Sequence, residues 1–69
     1  MEGSTVDTEL LEEARTMRDR AAALRLQAEG LDSFLAITYR RRASELELEA
    51  FVAELQAGIP YSQVHTPAA

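Results

Sequence analysis

"LQAEGLDSFL", residues 26–35, contains the only glycine between Val6 and Ala57, a span that also lacks proline. Whether the chain turns there decides the fold. Ala, Leu, Glu, Arg and Gln dominate on both sides, and all are strong helix formers. A turn makes a two-helix hairpin, whereas continuity makes one long rod. For continuity, the apolar spacing runs through Gly30 to Leu35 without a phase slip, and one helical glycine costs only about 1 kcal/mol relative to alanine. For a break, Gly30 in the left-handed conformation at C′, with Leu31 touching Leu26 as in a Schellman motif, ends the first helix, and Asp32 or Ser33 caps a second. The break also accounts for Leu26, which otherwise lies off the apolar seam. The expectation is an all-α helical hairpin forming a single domain over residues 1–69. Its first helix spans about 5–29, its turn 30–32 and its second helix about 33–57, and residues 58–69 form an irregular tail.

Upstream of that stretch, Ser4 or Thr5 in "STVD" offers a cap, and Glu9, Glu12 and Glu13 suit the positive end of a helix dipole. The apolar positions that follow are Leu10, Ala14, Met17, Ala21, Leu24, Ala28 and Leu31, an unbroken heptad seam. Alanine at every second seam position lets a neighbouring helix approach closely, which favours an antiparallel helix pair over a parallel zipper. Downstream, Gly58 and Pro60 in "AGIP" form a stop signal. The tail "YSQVHTPAA" has no period; Ile59, Tyr61 and Val64 are candidates to dock it on the bundle, and "PYSQV" alternatively begins a short helical turn.

The second helix carries two apolar faces. At roughly 100° per residue, Leu35, Tyr39, Ala43, Leu46, Ala50, Ala53 and Ala57 share one side. Phe34, Ile37, Leu48, Phe51, Val52, Leu55 and Ile59 share the opposite side, interrupted by Arg41. Polar ridges run between them, one with Arg40, Glu47 and Glu54, the other with Arg42, Glu45, Glu49 and Gln56. A helix that is apolar on two sides must be covered on two sides, and one partner helix covers only one of them. The small-residue face matches the first helix. The bulky face then calls for a second copy, giving a homodimer or tetramer built as a four-helix bundle, or for a larger heterologous partner. The spacing alone leaves parallel and antiparallel dimers open.

Composition supports assembly as the source of stability. Sixty-nine residues bury a small fraction of their surface, and with no cysteine neither a disulfide nor a thiolate zinc site can staple the chain. The absence of cysteine fits a reducing cytoplasm. No stretch approaches the roughly 20 apolar residues of a membrane span, and the acidic "MEGSTVDTE" is unlike a basic signal-peptide start, so neither membrane nor export is expected.

Catalytic and metal chemistry find little footing. Di-metal bundles use Glu-x-x-His pairs, whereas His65, the single histidine, lies in the tail with no carboxylate at that spacing. Ser62 and His65 stand at i, i+3 without an orienting acid, and the three glycines never cluster into a phosphate loop. No catalytic residue, metal or cofactor is assigned. Arg40, Arg41 and Arg42 are candidate polar contacts, either with Glu45 and acids of neighbouring chains or, with Tyr39 as a stacking group, with nucleic acid. Three successive helical positions point in three directions, and a net charge of −5 opposes a phosphate backbone, so nucleic acid is not expected.

"TVDTELLEEAR", residues 5–15, resembles the start of ribbon-helix-helix antitoxins. It lacks the strand-forming alternation of that family, and the long heptad that follows departs from it, so no site is carried over. The functional expectation is a non-enzymatic interaction module: a homo-oligomeric helical adaptor, regulator or accessory subunit. A nucleic-acid-associated regulator or an antitoxin-like inhibitor is the alternative.

Overall fold

The computed structural model describes residues 6–60 and contains two antiparallel helices, α1 (Thr8–Ala28) and α2 (Ser33–Gln56). The chain therefore turns at Gly30, and the rod is excluded. Both helices open on an aspartate. Asp7 Oδ1 accepts from the N–H groups of Glu9 and Leu10 at 3.0 and 3.2 Å, and Asp32 Oδ1 accepts from Phe34 and Leu35 at 3.0 and 3.1 Å. Each cap satisfies two amide donors that the helix itself cannot. The first helix thus starts later than residue 5, with Asp7 as its cap in place of Ser4 or Thr5, which lie outside the described residues.

The turn closes differently from the Schellman motif expected at Gly30. Glu29, Gly30 and Leu31 donate to the carbonyls three residues back, Leu26, Gln27 and Ala28, at 3.1–3.2 Å. These tight bonds carry the helical sense through the glycine, so no left-handed residue is needed. Positive φ occurs instead at Gly58 (φ 102°), where Gly58 N–H donates to Leu55 and Ile59 N–H to Glu54, both at 3.1 Å. That is the complete Schellman pair, closing α2 with Pro60 just beyond.

The two glycines therefore respond oppositely to alanine. A Cβ at Gly30 meets only the Gln27 carbonyl oxygen, at 3.8 Å, an ordinary contact. Gly30→Ala is expected to raise stability by roughly 0.4–1 kcal/mol through the unfolded chain, and Gly58→Ala to lower it by about 1–2 kcal/mol. Thermal melts of the two variants, read as opposite shifts in Tm, check this.

The helices meet along a ladder of alanines. Ala14, Ala21 and Ala28 of α1, and Ala36, Ala43 and Ala50 of α2 with its C-cap Ala57, are each at most 2% exposed, and each set repeats every seven residues. Ala14 packs with Ala50 and Ala53, and Ala21 with Ala43 and Leu46, while Met17 bridges both clusters and Leu24 joins the second. Small side chains let the backbones come close, and alanine loses no rotamer entropy on burial. The phase of α2 differs from the expected one at its start: Ala36 is in the seam at 2% exposure, whereas Leu35 is 44% exposed. The alanine heptad, rather than residue size, sets the face. At the open end, Asp7 N–H donates to the Ala57 carbonyl at 3.0 Å, tying the entry of α1 to the exit of α2.

Candidate interaction surface on the second helix

Packing on α1 consumes only one side of α2. On its other side Phe34 is 78% exposed, Ile37 56%, Leu48 53% and Val52 42%, while Phe51, Leu55 and Ile59 are half-buried. All seven residues read as a bulky face therefore keep surface in solvent, and they share the side turned away from the alanine seam. The outward side of α1 is different, presenting Glu12, Arg15, Asp19, Ala22 and Ala23, all exposed, with Leu26 its one large apolar residue at 69% exposure. The hairpin thus has one mostly polar back and one mostly apolar back. Tyr61 and Val64, read as docking residues of the tail, lie outside the described residues, as do the "PYSQV" turn beyond Pro60, Ser62 and His65.

The arginine run separates in space. Arg42 pairs with Glu45 at 3.1 Å and with Glu49 at 3.6 Å, all on the exposed surface of α2. Arg40 and Arg41 are exposed. Among the described residues Arg41 has no ion pair, and it interrupts the apolar face between Ile37 and Leu48.

Two ion pairs missed by a reading of single helices cross-link α1 and α2. Arg18 grips Glu54 in a fork, Nε to Oε2 at 3.0 Å and Nη2 to Oε1 at 2.6 Å. Arg25 grips Glu47 in the same way at 2.9 and 2.7 Å and adds a bond to Ser44 Oγ at 3.1 Å. The pairs stand one heptad apart on each helix, so they repeat the period of the alanine ladder and roof one flank of it. Glu47 and Glu54 look like members of a solvated ridge on a helical wheel. Their signal was the matching seven-residue spacing of Arg18 to Arg25 and Glu47 to Glu54 in opposed order.

The forks shift protonation as bidentate, charge-assisted bonds should. The hydrogen bond from Arg25 holds the Glu47 carboxyl below its ordinary value of 4.5, opposed by partial desolvation. The hydrogen bonds that Arg18 donates to Glu54 and Arg25 donates to Glu47 raise both arginines, so both guanidinia stay charged. A carboxylate whose folded pKa is depressed contributes stability above its unfolded pKa and loses it as pH falls through the folded value. Helix stability is therefore expected to decline on acidification below about pH 4.5, and Glu47→Gln should flatten that decline while costing roughly 0.5–1 kcal/mol at pH 7. The cost is small because solvent reaches both side chains, Arg25 at 37% and Glu47 at 21% exposure. Thermal melts of both proteins between pH 3 and 7 check it.

Among the described residues no three His, Cys, Asp or Glu side chains gather to hold a metal ion. No described helix is long and apolar enough to cross a membrane. The grooves flanking the helix pair are open and shallow; one of them is lined by Leu10, Met17, Leu48, Val52 and Ala53 together with Glu13, Glu49 and Gln56. No protein-family model, curated protein or solved structure matches the chain.

Proposed function

We propose that this chain is a non-enzymatic interaction module, a helical hairpin that joins a second copy of itself into a four-helix bundle and serves as an adaptor, small regulator or accessory subunit. The observation that carries this reading is the outward face of α2, where Phe34, Ile37, Leu48 and Val52 are 42–78% exposed in the isolated hairpin. Isolated exposed leucines are ordinary on a protein surface, but an apolar stripe along one helix, interrupted by Arg41, marks an interface. Cover by a second hairpin is the economical solution because one apolar face can then cover an identical one, whereas the outward side of α1 carries a single large apolar residue, Leu26. Four helices packed in this way also give a short chain a larger core.

Absolute mass by light scattering over a hundredfold dilution, with helicity followed in parallel, tests the reading. A dimer or tetramer that loses helicity as it dissociates supports self-association. A compact monomer of unchanged helicity overturns it and directs the search to a heterologous partner. Nucleic-acid binding through Arg40 and Arg42 has less support, since Arg42 is engaged by Glu45 and Glu49 and the chain carries a net charge of −5. Arg40→Gln and Arg42→Gln variants with unchanged RNA and DNA affinity at low salt would remove it.

A further inference from the structure

We infer that two copies meet through α2 in antiparallel orientation, about a two-fold axis level with Ala43, so that Arg41 of each chain lies against Glu45 of the partner subunit. The inference rests on the reading that the second copy is the partner, and it adds the orientation and register. It comes from the order of residues along the outward face. Arg41 interrupts the apolar stripe and Glu45, one turn on, borders it from the adjoining polar ridge, the two standing two positions on either side of Ala43. Phe34 and Val52 stand nine positions on either side of Ala43, and Ile37 and Leu48 six before and five after it.

The stripe is thus close to a palindrome in shape and an inverted one in charge. Reversing a second α2 over the first sets the Phe34 end of one chain on the Val52 end of the other. It also sets each arginine on a glutamate. A parallel pair in register instead brings Arg41 beside Arg41 of the partner subunit and Glu45 beside Glu45 of the partner subunit, two like-charge contacts in an apolar seam. Arg41 has no ion pair within its own chain among the described residues. Glu45 bonds Arg42 through Oε1 in a pair whose side chains are 51% and 53% exposed, leaving its carboxylate reachable. In this assembly the misfit arginine of the apolar face becomes its register mark, the role that a single polar residue plays in many helical seams.

The test combines a distance with a charge exchange. The chain has no cysteine, so Ser33→Cys carries a single nitroxide at the start of α2. In the antiparallel register the two labelled residues are offset by twenty positions, about 30 Å along the helix axis at 1.5 Å per residue. Dipolar spectroscopy is expected to show that separation. Arg41→Glu should weaken the dimer at least tenfold, and adding Glu45→Arg to it should restore the affinity to within about threefold, since the exchanged pair is again attractive. A dimer whose labels lie within about 15 Å, or one that Arg41→Glu leaves unchanged, overturns the antiparallel register while self-association stands. A chain that shows no intermolecular coupling and stays monomeric overturns both.

Discussion

Ala43→Leu is expected to cost about 1–3 kcal/mol and to lower the Tm of the hairpin by at least 5 °C. Ala43 is fully buried at the middle of the alanine ladder, packed with Ala21 and Leu46. Leucine is nearly as good a helix former as alanine, so local propensity predicts almost no change. The added volume has nowhere to go except between the two backbones, and close-packed interiors resist even one extra methylene. Pushing the helices apart there also strains the Arg25–Glu47 fork, which holds at 2.7 and 2.9 Å only at the present spacing. Ala22→Leu, on the exposed side of α1, is the control and should melt within about 0.5 kcal/mol of the parent chain. Circular dichroism melts of the three proteins decide it: if Ala43→Leu matches the parent, the alanine ladder is not close-packed.

The second large effect is expected at a residue that the isolated hairpin hardly uses. Phe34 is 78% exposed in the first turn of α2, beside the positive end of the helix dipole, where a carboxylate is favourable. In a monomer, Phe34→Asp should be neutral or slightly stabilising. In the proposed dimer the same change buries a charge in an apolar seam, and two-fold symmetry imposes it twice. A buried aromatic anchor of this kind is commonly worth 2 kcal/mol or more, so a loss of at least thirtyfold in dimer affinity is expected. Leu48→Asp, 53% exposed, should act in the same direction without the dipole contribution. Sedimentation of both variants at micromolar concentration provides the measurement. Full dimer affinity in both would sink the assignment of this face to self-association.

Much of the hairpin was legible because it follows from short-range chemistry and a strict period. Alanine every seven residues on both sides of a Gly-Leu-Asp turn announces a close antiparallel pair, and the bulky side of α2 falls opposite by simple rotation. Three features were less accessible, each for a physical reason. The conformation of Gly30 depends on whether the last turn tightens or reverses, and the i−3 bonds of Glu29, Gly30 and Leu31 settle it in favour of tightening. The choice between Leu35 and Ala36 for the seam depends on the rotation of α2 against its partner, a tertiary quantity that hydrophobicity alone assigns to the larger residue. Arg18–Glu54 and Arg25–Glu47 join residues 36 and 22 positions apart, so they emerge only once the register of the pair is known.

The Asp7–Ala57 bond places the entry and exit of the hairpin side by side. Mechanical load drawn through the chain on both sides would therefore act on one rung at a time. The rupture order is set by position: first Asp7 from Ala57, then Arg18 from Glu54, then Arg25 from Glu47, until only the turn at Gly30 remains. Such a joint yields at low force, like a zip fastener pulled at its open end, whereas tension applied along α2 alone would have to shear the whole alanine ladder at once.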